Sequence, residues 1–413
     1  MSEKKHLSTS FYILLFVTFI DFMGIGLVYP IFSNILFDKT LLFLPKATSN
    51  EMRGIWLGLL FAAMPFVQFF STPIWGAISD GKGRKKPLLL SLSITILGHL
   101  TSLLGILTKS ISLLLLSRAI LGIGAGNISI VQAGIADLSS NEAKAKNFGL
   151  YAMAIGLSFT FGPIIGGFLI KWGYDLPFIF ASSITFLNLL LAFIYFKETI
   201  LSSIKHKLSI TIGIKNLIKA FKYKNIRVIF ICSFLTAFAW TYFMEFIPVY
   251  LITNYKFTPE NVGVFYGSIG GIYAISAGLL IRPFLKRFKS ESLFFYSTFF
   301  AAISLLTLPF IPYSFWIWIF VIYYSYIVAF LGPTSTAIIS NSASKEIQGE
   351  VLGVLGSVNT ASYALSALIA GVFVGMMPIL SIWISGATFF IAAIVLFFTF
   401  TKMIFNRNLN KAN

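Results

Sequence analysis

Twelve stretches of this chain are each apolar over a length that crosses a bilayer, and this decides the solvent in which it folds. A hydrocarbon core about 30 Å thick takes roughly 20 helical residues at about 1.5 Å each. Runs of that size fall at 11–36, 54–79, 87–107, 111–136, 147–171, 176–196, 227–252, 260–284, 292–311, 314–341, 350–375 and 379–402. With 57% hydrophobic and only 11% charged residues, the chain holds far more apolar sequence than a soluble core of 413 residues needs. The expectation is an all-α membrane protein of twelve transmembrane helices.

A net charge of +17 raises the question of nucleic acid, and the position of the charges answers it. Segments on one side of the membrane hold 24 of the 31 Lys and Arg residues; Lys39, Lys46, Arg53, Lys109, Lys171 and Lys256 lie on the other, and Arg118 lies inside a run. Basic residues concentrated on alternate loops mark the cytoplasmic side. The excess is therefore a topology signal, with no nucleic-acid partner, and it puts both termini in the cytoplasm of an inner (plasma) membrane protein. The first run is too long for a signal-peptide core and lacks a small-residue cleavage site. A lone Cys232 excludes an intramolecular disulfide.

The longest polar interruption, 197–226, divides the runs six and six and carries Lys205, His206, Lys207, Lys215, Lys219, Lys222 and Lys224 among Ile and Leu. Its spacing fits a short amphipathic helix with lysines toward anionic headgroups, or a solvated linker. The expected organisation is a six-helix bundle over 1–199, a cytoplasmic linker over 200–226 and a second bundle over 227–413. The halves echo each other: Gly76 precedes Arg84 as Gly278 precedes Lys286, and Tyr29-Pro30 has a counterpart in Ile247-Pro248. Parallel repeats of this kind place a substrate site between the halves.

The segment Gly76-Ala77-Ile78-Ser79-Asp80-Gly81-Lys82-Gly83-Arg84-Lys85-Lys86 resembles the loop 2–3 signature of the major facilitator superfamily. Glycines there allow a tight turn, Asp80 suits the positive end of a helix, and Arg84 is in reach of Asp137. The resemblance implies that Gly76, Asp80, Gly83, Arg84 and Asp137 latch the two halves in the outward-facing state, with the helix that begins near Glu350 as partner. The second half has Arg282 where Asp80 stands, which argues against a symmetrical latch. A plain basic anchor loop is the alternative.

Asp21, within Asp21-Phe22-Met23-Gly24-Ile25-Gly26-Leu27-Val28-Tyr29-Pro30, lies about 15 Å into the first run, near the bilayer midplane. A charge at that depth costs about 2.5–3.5 kcal/mol on insertion scales and normally faces a cavity or partner. Taking up a proton removes the cost, so Asp21 is the candidate proton site; a purely structural Asp is the alternative. The segment looks like helix 1 of the tetracycline-type exporters. Arg118, opening Arg118-Ala119-Ile120-Leu121-Gly122-Ile123-Gly124-Ala125-Gly126, resembles the buried arginine of the family's helix 4, which implies a part in proton transfer. It lies about 10 Å deep, and pairing with Asp21 would offset both burial costs. The three alternating glycines lie in an apolar helix without a strand before them, so they signal close packing rather than a nucleotide loop.

The fifth run contains Gly156, Gly162, Pro163, Gly166 and Gly167. Small residues four apart permit close backbone approach and Pro163 leaves a bend. The pattern resembles the Gly-Pro-x-x-Gly-Gly signature of antiporters, which implies a bent helix sealing the pathway against the second half.

Glu245 lies about 28 Å along the seventh run, which puts it close to the outer surface, with a cavity role as the alternative. Asn127, Gln132, Trp240, Tyr242 and Asn359 are candidate cavity walls, with Asn188 beside them. His99 titrates in the useful range or packs. No Gly-x4-Gly-Lys loop or metal-ligand cluster appears, so no enzyme, metal or cofactor is expected, and a proton gradient is the energy source. The expected function is proton-coupled export of small amphipathic compounds by alternating access, multidrug or tetracycline-like, by a monomer with lipids around it. A carrier of one metabolite, such as a siderophore, sugar or amino acid, is the second reading; a membrane sensor that no longer transports is the third.

Overall fold

Main-chain amides and carbonyls find no water in hydrocarbon, so each apolar run closes its own hydrogen bonds as a helix. The computed structural model describes residues 2–139, 144–199, 209–223, 226–343 and 348–412, with no strand among them. Its twelve spans are α1 Thr9–Phe37, α2 Asn50–Lys82, α3 Lys85–Leu107, α4 Ile111–Asp137, α5 Asn147–Leu169, α6 Leu176–Tyr195, α7 Arg227–Tyr255, α8 Pro259–Arg287, α9 Ser290–Phe310, α10 Ser314–Asn341, α11 Glu350–Val374 and α12 Ile379–Thr401.

Polar caps define several helix starts, and α2 begins four residues earlier than its hydropathy run for this reason. Ser49 Oγ accepts from Met52 N ahead of α2 and Ser110 Oγ from Leu113 N ahead of α4, both at 3.3 Å. Thr258 caps α8, with Pro259 as its first residue. Of the basic stretch between the halves, Ile212–Lys222 forms the amphipathic helix that its spacing allowed; Lys205, His206, Lys207 and Lys224 lie outside the described residues.

In the first half α3 packs on α4 and α6, and α1 on α5; in the second, α12 packs on α7 and α9, and α11 on α7. The halves meet along α2 with α11 and α5 with α8. An even number of spans returns the chain to its starting side, here termed the termini face; the opposite side is the distal face.

Toward the distal face the halves touch backbone to backbone. A Cβ on Gly371 would stand 2.7 Å from Gly54 O and 2.7 Å from Gly58 Cα; one on Gly263 would stand 2.5 Å from Pro163 O. Tyr29 stacks on Tyr266 with ring centroids 5.0 Å apart. Toward the termini face the helices part: Gly149 in α5, Gly278 in α8, and Gly353 and Gly356 in α11 have nothing within 4 Å of where a Cβ would stand. The molecule is closed at the distal face and open toward the termini.

Arg53, counted above only as a loop charge, is 1% exposed. Its guanidinium donates to Leu36 O, to Pro45 O at 2.9 Å and to Thr48 O at 3.2 Å, tying the α1–α2 connection to the start of α2. Hydrogen bonds from a charged donor contribute about 1.5–3 kcal/mol each. Arg53→Ala is expected to lower the thermal midpoint of the purified protein by several degrees, read by the fluorescence of a thiol-reactive dye at buried Cys232. Arg53→Lys restores only part, because an ammonium lacks the planar fork.

Candidate functional site

Asp21 stands on α1 at mid-membrane beside the short 3₁₀ turn Ala125–Asn127 that interrupts α4. That turn carries Asn127, whose Nδ2 donates to Asp21 Oδ2 at 2.8 Å. The other carboxylate oxygen, Oδ1, is buried with no hydrogen-bond partner. Thr18, His99, Arg118, Asn127 and Tyr151 line the same cavity inside the first half. Gln132 donates to Tyr151 Oη at 3.3 Å, so two of the proposed wall residues lie in this polar cluster. His99 is buried against Gly24, one turn along α1 from Asp21, with Nδ1 unpartnered.

Arg118 does not pair with Asp21, contrary to the sequence expectation; no ion pair joins them among the described residues. Its Nε donates to Leu60 O at 3.2 Å, and its guanidinium lies 5.6 Å from the centre of the Phe32 ring. Its electrostatic neighbours are Tyr29 and Glu245. Helix rise explains the difference: Tyr29 lies eight residues beyond Asp21, about 12 Å nearer the distal face, and that is the level of Arg118.

Glu245 requires a second correction. It is 6% exposed, because ten residues of α7 follow it and leave it about 15 Å below the end of the helix. Counting from the start of the run overlooked how far α7 extends beyond the hydrocarbon. Its Oε2 has no hydrogen-bond partner, and it shares an electrostatic neighbourhood with Arg118, Tyr29 and Tyr266. An acid of one half thus lies within electrostatic reach of a base of the other.

Of the remaining wall candidates, Trp240 stacks on Tyr324 at 5.9 Å and lies 6.3 Å from Tyr273. Asn359 is half-buried, and its main-chain carbonyl accepts from Ser362 Oγ at 2.6 Å. Tyr242 is fully buried, with its ring against those of Phe238 and Phe246 of its own helix, and belongs to the packed aromatic core. Asn188 is likewise fully buried.

At the termini face the loop after α2 builds a charged knot. Gly83 adopts φ 83°, the left-handed region open to glycine, and this turns Arg84 back toward α4. Arg84 Nε donates to Asp137 Oδ2 at 3.0 Å and Nη1 to Ser79 Oγ at 2.7 Å, with Asp80 on the same nitrogen. Gly76 makes only ordinary contact with Ser129. Sequence reasoning assigned no role to Glu198, which accepts from Arg84 N at 2.7 Å and Lys85 N at 3.1 Å. It is a carboxylate on the positive end of α3, legible only once α6 is known to end there.

The partner implied for this knot is otherwise engaged. Glu350 accepts from Lys219 Nζ at 2.6 Å and from Tyr223 Oη at 3.0 Å, both on the segment between the halves. Its carboxylate beside Lys219 holds that ammonium above its usual range. No side-chain position is described for Arg282, so its counterpart role lies outside the described residues.

The helix 5 glycines divide their work between halves. A Cβ on Gly162 would meet Met23 O at 2.6 Å and one on Gly166 would meet Leu27 O at 2.5 Å, both on α1. A Cβ on Gly167 would meet Pro259 O at 2.6 Å and one on Gly156 would meet Ala274 Cβ at 2.7 Å, both on α8. The face that seats α5 on α1 and the face that meets the other half are both built by the motif.

A sequence model of the Major Facilitator Superfamily matches residues 14–367. Among characterised relatives, Multidrug resistance protein 2 of Bacillus subtilis is 30% identical over 286 residues, 68% of this chain and 67% of its own. Quinolone resistance protein NorA of Staphylococcus aureus is 26% identical over 377 residues, 89% of each. The crystal structure of the human organic anion transporter MFSD10 (TETRAN) superposes with a TM-score of 0.71 at 20% identity, covering 94% of this chain and 99% of that one. A POT family transporter in complex with a thioalcohol-conjugated peptide superposes with a TM-score of 0.72 at 14% identity, over 95% of each. Twelve membrane helices in two halves, closed at one face and open at the other, together with this match over most of its length, make the chain an integral membrane transporter of the Major Facilitator Superfamily.

Proposed function

We propose that this transporter exports small amphipathic compounds in exchange for protons, with its termini in the cytoplasm of a bacterial plasma membrane. The observation that carries the reading is the Asp21 carboxylate: at mid-membrane, with one oxygen held by Asn127 and the other buried and unpartnered. A charged carboxylate in that setting is costly, and protonation turns the bare oxygen into a neutral group. The site therefore has a reason to change protonation as access alternates. Glu245 and Arg118, within electrostatic reach of each other from opposite halves, supply a second pair whose interaction depends on how the halves sit. The glycine seams at the distal face serve as the contacts that must open for release to the outside. The names of the two bacterial relatives favour export of drug-like compounds over uptake.

The test is outward transport of a cationic dye from proteoliposomes with and without a protonophore. Collapse of uphill transport is the expected result; undiminished transport would remove proton coupling. A carrier dedicated to one metabolite remains the second reading, favoured if a broad panel of amphipathic compounds neither moves nor competes.

A further inference from the structure

The helix Ile212–Lys222 between the halves presents three faces. One is packed: Gly213 abuts the Phe69 ring of α2, Ala220 is buried, and Asn216 Nδ2 donates to Ser357 Oγ of α11 at 3.0 Å. The helix therefore sits against α2 and α11 on the side where these two part. Ser357 lies nine residues into the helix that begins at Gln348, about 13 Å from its tip, so the contact reaches toward hydrocarbon depth.

The second face is basic: Lys215, Lys219 and Lys222 follow one another at helical spacing, with Lys219 taken by Glu350. The third face is apolar and bare. Ile214 is 45% exposed, Ile218 52% and Phe221 65%, and the spacing of four and three lines them along one stripe. Such a stripe in water would cost burial energy with nothing gained. Lys215 and Lys222, which have no ion-pair partner among the described residues, flank it.

The geometry points to a bilayer-seated linker helix: Ile214, Ile218 and Phe221 enter the acyl boundary of the leaflet at the termini face, and Lys215 and Lys222 bind its anionic phospholipid headgroups. Amphipathic helices with this division lie in the interface plane, and each lysine near an anionic surface contributes about 1 kcal/mol, roughly fivefold in partitioning. Lys215 and Lys222 together make the seating about twenty-five-fold more favourable on an anionic leaflet than on a zwitterionic one. The same helix holds Glu350, so lipid charge bears on the acid that opens α11.

The test uses the full-length protein with Cys232→Ser, carrying a nitroxide at 214, 215, 218, 221 or 222 in turn. It is reconstituted in vesicles of phosphatidylcholine alone or mixed with phosphatidylglycerol. Collision with oxygen should dominate at 214, 218 and 221, and collision with a water-soluble nickel chelate at 215 and 222. The bilayer-seated spectral component should grow with phosphatidylglycerol, and Lys215→Gln with Lys222→Gln should remove that growth. Nickel access at all five positions would mean a solvated linker or an aqueous vestibule, and protection of the apolar three from both reagents would mean a protein cover; either overturns the proposal. Equal seating in both vesicle types would overturn the anionic headgroup contact.

Discussion

Asp21→Asn is expected to bring substrate-induced proton release in everted vesicles down to that of vesicles lacking the protein, while the variant still inserts and still binds substrate. The reasoning is local. Asparagine is nearly isosteric with aspartate, and its amide oxygen can accept from Asn127 Nδ2 as Oδ2 does now at 2.8 Å, so the contact between α1 and α4 survives. What disappears is the capacity of the bare oxygen to take a proton. Uphill transport and its pH dependence should therefore vanish together, leaving downhill exchange of substrate. Proton release that persists in Asp21→Asn would take the coupling role away from this residue, and Glu245→Gln then becomes the decisive variant. Silence of the parent protein across a panel of cationic, zwitterionic and neutral compounds would instead favour the dedicated carrier.

The second large effect is expected from Gly371→Val. A Cβ there meets Gly54 O and Gly58 Cα at 2.7 Å each, and both are main-chain atoms of a helix, with no side chain to swing aside. Overpacking of a tight contact costs about 1–3 kcal/mol, and a two-state equilibrium moves about tenfold for every 1.4 kcal/mol. The variant should shift the equilibrium away from the distal-closed state by about fivefold to a hundredfold, and its transport rate should fall with it. A cysteine replacing Tyr29 on a Cys232→Ser background reports it, since Tyr29 is 9% exposed under the distal seal. A membrane-impermeant maleimide applied from the distal side should label it in Gly371→Val and scarcely in the parent; Gly371→Ala carries the same Cβ with the least added bulk. Unchanged labelling and transport in both variants would show that the seam yields without cost.

Much of the architecture was legible because hydrocarbon leaves the chain few choices. Runs of the right length become helices, and their ends lay within a few residues of where hydropathy stops. The departures occurred where capping residues or helices extending past the hydrocarbon set the boundary. The pairing of Arg84 with Asp137 was also legible, since both lie at the ends of their runs on the same side. The helix 5 glycines announced close packing, but their spacing could not say that Gly162 and Gly166 meet α1 while Gly167 meets α8.

Depth was the weak point for the charged residues. Counting about 1.5 Å per residue from one end of a run put Asp21 well inside its run, as α1 has it within Thr9–Phe37, and misjudged Glu245 because α7 continues to Tyr255. The same count set Arg118 about 10 Å deep but could not tell that Tyr29 and Glu245, rather than Asp21, are its electrostatic neighbours.

The sequence by itself determined the solvent, the number of spans, the six-and-six division and the motifs that mark the family, because these follow from hydrophobic length and local spacing. Only the tertiary structure decided which charges share a level, that Arg53 ties the α1–α2 connection, that Glu198 caps α3 and that Glu350 is held by Lys219. Those contacts join residues up to 131 positions apart, and the distant partners are chosen by the register and rotation of packed helices, which no local pattern encodes.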